Sequence, residues 1–368
     1  MPRPLPATPP HYAMTLLSRL LLEPADGSGH SSAQTKQQLL SLPREDFDAL
    51  IRLAESNHVI VRGLQAFLHD LGGAPDGERV DRVQKMLAAE RGRIDVATYF
   101  LHEICAAMEE QGLDTVVIKS LDHWPDLGSD LDLYTNAEPA DVIRIMSNRF
   151  GATMAQRSWG DRLAHKWNFM VPGLPELVEI HVGRLGQTGE QTAFAASIPG
   201  RSVHVLRGSY NFRVPCPSDR ITISTLQRMY RHFFFRLCDV VDTAALADSG
   251  AIDYEDLLAS AQAAGIWEGV ATYLAIVSDY VKSYRGSGLD MPPFVASAAK
   301  FGGSEVYFSK GFLRVPILPQ SARLYGSQLA GVLGRGEIDS GARLSLLPWL
   351  ATAAVLGQKL TGSDKGIW

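Results

Sequence analysis

The apolar residues between positions 43 and 112 recur at intervals of three and four along two consecutive stretches. Such spacing puts them on one face of a helix, so the pattern predicts amphipathic helices over residues 43–112. Gly72 and Pro75 separate the two stretches, and Gly112 ends the second. Before them, residues 1–42 hold many Pro, Gly and Ser residues around one short apolar piece, which predicts an N-terminal arm.

From residue 113 to residue 217 the period changes, because β-branched and aromatic residues alternate with polar ones in several short segments. Alternation of this kind is typical of half-buried strands. A helical pattern over residues 138–151 lies between the second and third segments. We therefore predict a mixed α/β core over residues 113–217, with strands at residues 115–120, 129–136, 165–172, 177–183 and 201–208.

Helical periodicity returns over residues 218–288, which we predict to form an additional helical domain. Its first part, residues 218–250, is predicted as one long amphipathic helix closed by Gly250. Residues 289–368 are predicted as a C-terminal extension to which the pattern assigns no role, with an extended segment at residues 304–319. The predicted fold class is α+β, a small mixed sheet with flanking helices and an additional helical domain.

Composition narrows the class of protein. The formal net charge is −5, which gives no sign of a general nucleic-acid binder. The three cysteines, Cys105, Cys216 and Cys238, lie far apart in the chain and are odd in number. This argues against both a disulfide framework and a zinc cluster. We expect a reduced, cytoplasmic protein.

Two apolar segments could suggest a membrane protein. The segment Met14–Leu22 contains Arg19 and lacks the basic start and the cleavage site of a signal peptide. The segment at residues 344–357 contains Pro348 and is too short to span a bilayer. We therefore expect no transmembrane segment, while a peripheral membrane contact of this tail stays open.

Two carboxylates open one of the predicted strands. Asp130 and Asp132 lie two residues apart and so share one face of that strand, and Glu179 and His181 share a face of another. If the two strands are neighbours, the three carboxylates converge, and a divalent cation is needed to offset their repulsion. Carboxylate oxygens favour Mg²⁺ or Mn²⁺, and magnesium sites of this kind usually also bind substrate phosphates. The implied chemistry is phosphoryl or nucleotidyl transfer.

Asp-x-Asp elements also occur in haloacid-dehalogenase-like phosphatases, where they follow an apolar strand, and in metal-dependent glycosyltransferases. Here the residues before Asp130 are "DHWPDLGS", a predicted loop, and the apolar run comes after it. This order favours a turn that opens onto the strand carrying the acids.

Three segments together resemble the DNA polymerase β-like nucleotidyltransferases: "VVIKS" (116–120), "GSDLDLY" (128–134) and "VEIHVG" (178–183). They are most similar to the uncharacterised bacterial nucleotidyltransferase family in which a Lys-Gly pair ends one strand, an Asp-x-Asp element opens the next, and a later strand carries Glu-x-His. The resemblance covers roughly residues 45–285. It implies a small mixed sheet and a helical domain that closes over the cleft.

The resemblance also implies an activity, the transfer of an NMP group from a nucleoside triphosphate, with ATP expected, to an acceptor hydroxyl or other nucleophile. Asp130 and Asp132 would hold the triphosphate with Mg²⁺ or Mn²⁺. Glu179 would be the third carboxylate, at the metal or at the acceptor. These three residues are the predicted catalytic and metal-binding residues. The predicted substrate- and phosphate-binding residues are Lys119, Ser120, Gly128, Ser129, Lys166, His181 and Arg231.

An RNA acceptor would normally call for a basic channel, and this chain is mildly acidic. We therefore expect a small molecule, a peptide or a protein as the acceptor. Two alternatives stay open. The first is a degenerate nucleotidyltransferase fold that only binds a nucleotide or a partner. It would explain two departures from the family: Lys119-Ser120 replaces the small pair, and Asp126 stands where relatives often carry a basic residue. A metal-dependent kinase would release ADP instead of pyrophosphate.

Overall fold

The computed structural model describes residues 9–23, 33–71 and 77–350. Its α-helices are α1 Pro9–Leu22, α2 Ala33–Ser41, α3 Arg44–Ser56, α4 Ile60–Leu71, α5 Gly77–Glu109, α6 Pro139–Phe150, α7 Trp159–Leu163, α8 Ala193–Arg201, α9 Pro217–Gln227, α10 Leu237–Asp248, α11 Tyr254–Ala263, α12 Trp267–Arg285, α13 Pro293–Ala298, α14 Ala322–Gly334 and α15 Ile338–Ser345. Its strands are β1 Thr115–Val117, β2 Asp130–Thr135, β3 Thr153–Met154, β4 Lys166–Met170, β5 Leu177–Val182, β6 Val203–Arg207, β7 Tyr210–Val214, β8 Phe234–Phe235, β9 Tyr307–Ser309 and β10 Phe312–Arg314.

The central sheet has five strands in the order β1-β2-β5-β4-β3. Strands β2 and β5 run parallel, and the other neighbouring pairs are antiparallel. Leu131, Leu133, Val178 and Ile180 alternate with the polar residues of β2 and β5 and are buried in the core. The mixed sheet with its flanking helices confirms the predicted α+β fold class.

The predicted long helix over residues 218–250 is wrong. Helix α9 ends at Gln227, a π-helical turn spans Arg228–His232, and α10 begins only at Leu237. Between them Phe233 has a left-handed φ of 54°, and the main chain of Phe234–Phe235 pairs with β10. The helical periodicity of the side chains continues through this segment, but the distant strand β10 takes up its backbone hydrogen bonds.

The extended segment predicted at residues 304–319 is confirmed in its middle part by β9 and β10, which form an antiparallel pair. In the N-terminal region, Leu16 and Leu17 of α1 are buried, and Ser18 of α1 bonds the hydroxyl of Tyr280 on α12 at 2.7 Å. The predicted domain boundaries at residues 42, 112, 217 and 288 stay predictions. The part of the predicted tail beyond residue 350 lies outside the described residues.

Within the three described ranges, no helix combines the length and the apolar character that crossing a bilayer requires.

Candidate active site

The pairing of β2 with β5 determines where the acids meet. In this parallel register Asp132 lies opposite Glu179, and Tyr134 lies opposite His181. Strand β4 continues the row on the other side of β5, where Lys166 lies opposite His181. Because alternate residues share a face, these polar side chains lie on the side of the sheet away from Leu131 and Ile180. This face carries what we call the acid wall: Asp130, Asp132, Glu179, Lys119, Lys166 and His181.

Within the acid wall, two lysines neutralise most of the negative charge. Lys119 Nζ pairs with Asp132 Oδ1 and lies 3.4 Å from Glu179 Oε1. Lys166 Nζ lies 2.6 Å from Glu179 Oε2, and His181 Nε2 lies 2.8 Å from Glu179 Oε1. Both oxygens of Glu179 are therefore occupied by groups of the protein, whereas no described side chain forms an ion pair with Asp130.

The pKa values of Glu179 and Asp130, two carboxyl groups of the acid wall, are shifted in opposite directions. Burial alone would raise the pKa of Glu179, but Lys166, Lys119 and His181 outweigh it and hold this pKa well below its usual range. Burial raises the pKa of Asp130, and the neighbouring charges of Asp132 and Glu179 raise it further. Asp130 is thus the carboxylate that lacks a cation.

The loop between β1 and β2 brings Lys119 into this cluster. Lys119 adopts a left-handed φ of 61°, a conformation that costs a non-glycine residue free energy. Burial lowers the pKa of Lys119, but Asp132 and Glu179 raise it by more, so the ammonium stays charged. The hydroxyl of Ser120 accepts from the backbone N–H of Asp132 at 2.7 Å and donates to the carbonyl of Asp130 at 3.2 Å. It is therefore Lys119, and not Ser120, that takes the special backbone conformation.

A cleft of about 160 Å³ separates the acid wall from a second, positively charged wall. We call it the basic wall: Arg228, Arg231, His232 and Arg236, from the π-helical turn and the start of α10. Asp239 neutralises Arg228 at 2.8 Å, but among the described residues no carboxylate pairs with Arg231 or Arg236. Burial, together with the neighbouring arginines, lowers the pKa of His232 to about 2. The free positive charge of this wall therefore comes from two arginines.

The structure brings most of the predicted site residues to this cleft. Its lining includes Lys119, Ser120, Gly128, Ser129, Asp130, Asp132, Glu179 and Arg231. His181 lies in an adjoining pocket that shares Lys119 and Arg231 with the cleft. Lys166 does not line the cleft and is buried, bound to Glu179. Gly128 leaves room for His58, because a Cβ at this position would lie 3.2 Å from the His58 ring.

Several other residues line the cleft and were not among the predicted site residues: His58, His123, Gln227, Arg228 and Arg236. His58 lies in the turn between α3 and α4, and His123 lies in the loop between β1 and β2. Arg228 and Arg236 lie within residues 218–250, which were predicted as one continuous helix. No local pattern marks these residues, since they reach the cleft only through tertiary contacts.

Asp126, which stands where the family that the sequence resembles often carries a basic residue, has a structural partner of its own. Asp126 is fully buried, accepts from the backbone N–H of Val61 at 2.6 Å and pairs with Arg62 at 2.7 Å. It does not line the cleft. Its role is to attach the β1–β2 loop to helix α4, and the cations facing the cleft come from the basic wall instead.

Some of the carboxylate and imidazole groups of the acid wall lie close enough together to hold a divalent cation. Asp132, Glu179 and His181 have ligand atoms within 4.8 Å of one another, while Asp130 does not belong to a group that close. Glu179 belongs to this group, but its two oxygens already contact Lys119, Lys166 and His181. Asp130 and the second oxygen of Asp132 are the acid-wall oxygens that no described cation engages. These two carboxylates would therefore hold the ion.

No protein-family model matches the chain, and no curated protein matches it in sequence.

Proposed function

We propose that the protein is a Mg²⁺-dependent nucleotidyltransferase that moves an NMP group from a nucleoside triphosphate to an acceptor nucleophile and releases pyrophosphate. One observation carries the proposal. Asp130 and Asp132, the carboxylates with unengaged oxygens, face Arg231 and Arg236, the arginines without carboxylate partners, across a single cleft.

This arrangement suits a metal-bound polyphosphate. A triphosphate carries several negative charges, which the two free arginines can neutralise through charge-assisted hydrogen bonds to its oxygens. When bound, Mg²⁺ supplies Lewis-acid stabilisation of the charge on the phosphate and is held by carboxylate oxygens. A cleft with cations on one wall and free carboxylates on the other accommodates both partners at once.

The remaining acid-wall residues position these groups. Ser120 holds the backbone at both Asp130 and Asp132, and thereby fixes the start of the strand that carries them. Glu179, held by three partners, anchors Lys119 and His181 beside Asp132. In this arrangement Glu179 is a positioning residue, while His181 lies where it could contact an acceptor in the adjoining pocket.

The alternative, a degenerate fold that binds a nucleotide without turnover, is favoured by a specific observation. The Lys119 ammonium lies between Asp132 and Glu179, where a metal bridging these two carboxylates would otherwise lie. A fixed positive charge of the protein can replace a metal electrostatically, but it does not polarise a phosphate as a Lewis acid does. A kinase that uses the same acids stays the third hypothesis.

The proposal extends to partners and location. The net charge of −5 supports a small molecule, a peptide or a protein as the acceptor in preference to RNA, and a cytoplasmic location stays a prediction.

The test is label transfer from each α-³²P nucleoside triphosphate, with Mg²⁺ or Mn²⁺, to the RNA, protein and small-molecule fractions of a cell extract. We expect transfer by the wild type and a loss of about 1,000-fold in Asp132→Asn, since it removes a ligand of the metal that would stabilise the charge of the transition state. The matched control is Asp141→Asn, an exposed carboxylate of α6 that pairs only with Arg144, which should keep full activity.

The outcomes separate the hypotheses. Nucleotide binding without transfer in any fraction would favour the degenerate fold. Transfer of label from γ-³²P instead of α-³²P nucleotide, with ADP as product, would identify a kinase. Equal transfer by the wild type and Asp132→Asn would overturn the proposed site.

A further inference from the structure

A second group of metal-ligating side chains lies at the edge of the same cleft. His58, His123 and Cys238 place one ligand atom each within 4.8 Å of the others. They come from the α3–α4 turn, the β1–β2 loop and the first turn of α10, so only the folded chain brings them together. We propose that this His58–His123–Cys238 cluster is a zinc site, separate from the proposed magnesium site and independent of the proposed activity.

The spacing of the ligand atoms matches a tetrahedral zinc ion. With a Zn–S distance of about 2.3 Å and a Zn–N distance of about 2.0–2.1 Å, tetrahedral geometry puts nitrogen and sulfur about 3.6 Å apart. Cys238 Sγ lies 3.7 Å from His123 Nε2. The rings of His58 and His123 meet edge to face with centroids 5.8 Å apart, and a ligand atom of His58 lies within 4.8 Å of those of His123 and Cys238.

A supporting carboxylate orients His123 for this role. Asp242 bonds His123 Nδ1 and is itself held by Arg62 at 2.6 Å. A proton on Nδ1, donated to Asp242, leaves the lone pair of Nε2 directed at Cys238. Carboxylate–histidine–metal arrangements of this kind are a regular feature of zinc sites.

The local charges are compatible with a dication. When His123 is neutral, as a metal ligand must be, Asp126 and Asp242 share the cation of Arg62, which leaves one negative charge over. A Cys238 thiolate adds a second, so the two together offset Zn²⁺. Arg236, 3.5 Å from His58 Nδ1, is the cation that opposes binding, and it lies on the open side of the cluster.

The solvent exposure of the three ligand side chains indicates on which side the fourth coordination position of the zinc ion would lie. Cys238 is fully buried, and the side chain of His123 is 12% exposed. His58 and His123 line the cleft, whereas Cys238 does not. A thiolate that a substrate cannot reach serves poorly as a nucleophile but well as a metal ligand. The fourth zinc position therefore faces the cleft, where water or a bound molecule completes the coordination, as in zinc sites with three protein ligands.

The test is metal binding by the full chain. Zinc content after dialysis should be one ion per chain, and Co²⁺ substitution should give the intense thiolate-to-cobalt charge-transfer band of a cysteine ligand. Cys238→Ser should abolish that band and weaken zinc binding at least about tenfold, and Asp242→Asn should weaken it about 10–100-fold. His58→Gln, which changes a residue at the cleft surface, should also weaken it and is expected to leave the core intact.

Controls separate this cluster from other metal-binding groups. Cys105→Ser and Cys216→Ser should keep both the zinc ion and the cobalt band, and His181→Ala, in the group around Asp132, should keep them too. Circular dichroism should show each variant folded. A wild type without bound zinc, a cobalt spectrum without the charge-transfer band, or zinc lost in His181→Ala and kept in Cys238→Ser would each overturn the proposal.

Discussion

The acid wall and the basic wall face each other across one cleft, but they rest on different kinds of backbone. Asp130, Asp132 and Glu179 belong to regular strands, where the period of two determines the face on which each side chain lies. Arg231 and Arg236 come from a π-helical turn and a short irregular connection between two helices. Local periodicity therefore predicts the backbone of the carboxylates in the acid wall correctly, but it predicts a continuous helix for the basic wall, which is wrong.

The two walls also differ in how their charges are compensated. In the acid wall Lys119 and Lys166 neutralise Asp132 and Glu179, and Asp130 is left over. In the basic wall Asp239 neutralises Arg228, and Arg231 and Arg236 are left over. Each wall thus has charged groups with an ion-pair partner and others without one, and groups of both kinds line the cleft. The groups without a partner, together with the second oxygen of Asp132, are those that we assign to binding.

The largest expected effect comes from removing the compensating charge of the basic wall. Arg228 is 2% exposed and Asp239 is 3% exposed. Breaking such a buried pair in Asp239→Ala should cost about 3–5 kcal/mol, because the Arg228 charge stays buried without a partner. Urea unfolding should measure this loss in the free energy of unfolding.

Asp248→Ala is the matched control on the same helix, since its pair with Arg285 is exposed to solvent. It should cost less than about 1 kcal/mol. If the two variants were equally stable, the division of the basic wall into a buried pair and free arginines would be wrong.

The corresponding change in the acid wall is Lys119→Met. It leaves Asp132 without its cation and should cost about 1–3 kcal/mol when no divalent cation is present. Mg²⁺ should restore more thermal stability to this variant than to the wild type, because the freed carboxylates then bind the ion. Lys300→Met, which breaks an exposed pair with Glu268, should show no such dependence on Mg²⁺. Absence of this Mg²⁺ effect in Lys119→Met would show that Lys119 does not occupy a position that the ion could take between these carboxylates.

Removing a free charge should affect binding more than stability. Arg231→Gln should weaken the binding of Mg²⁺-ATP about tenfold, equivalent to about 1.4 kcal/mol, since one charge-assisted contact to phosphate is lost. Calorimetric titration would measure the affinity. Arg144→Gln, an exposed arginine on α6, should leave it unchanged. Equal affinities in both variants would show that the basic wall does not contact the nucleotide.

The last expected effect is a pH dependence of stability, which appears only when the pH is lowered. Burial and nearby arginines lower the pKa of His58 and of His232 to about 2, against about 6.5 in an unfolded chain. Below pH 6.5 the unfolded chain therefore binds protons that the folded chain does not. Stability should be fully present above this pH and should fall as the pH drops, by up to about 1.4 kcal/mol per pH unit for each histidine.

Denaturant unfolding at several pH values, with a chelator present, would measure this slope. The double variant His58→Asn/His232→Asn should flatten it between about pH 6.5 and 5. The exposed His204→Asn should not change it. A slope that is the same in the double variant and the wild type would mean that the folded protein protonates both histidines normally.

The predicted catalytic residues could be found from the sequence because strand alternation is a local property. "SDLDLY" and "LVEIHV" each show their polar face without reference to the rest of the chain. The backbone conformation and the ion pairs of the residues around these carboxylates could not be predicted in this way. Lys119 takes a left-handed conformation and pairs with Asp132, and both oxygens of Glu179 contact cations of the protein. These contacts depend on how β1, β4 and the connecting loop pack together.

Two arginines of the cleft, Arg228 and Arg236, were missed for a related reason, whereas Arg231 was predicted. Their segment keeps an amphipathic helical pattern, but the backbone of Phe234–Phe235 gains more from pairing with β10 than from continuing the helix. Since β10 lies far along the chain, no local signal marks this interruption. The partner of Asp126 has no local signal either, because Arg62 comes from a separate helix.

By itself, the sequence determined the α+β class, the strands of the central sheet that it predicted and the face on which the acids lie, because periodicity and propensity are local. Only the tertiary structure decided which charges are compensated, since a charge takes its partner from whichever segment packs against it. It also decided that His58, His123 and Cys238 meet at one point, although the wide spacing of the cysteines had argued against a zinc site. Contacts between distant segments are set by the packing of the whole core, which no single stretch of sequence contains.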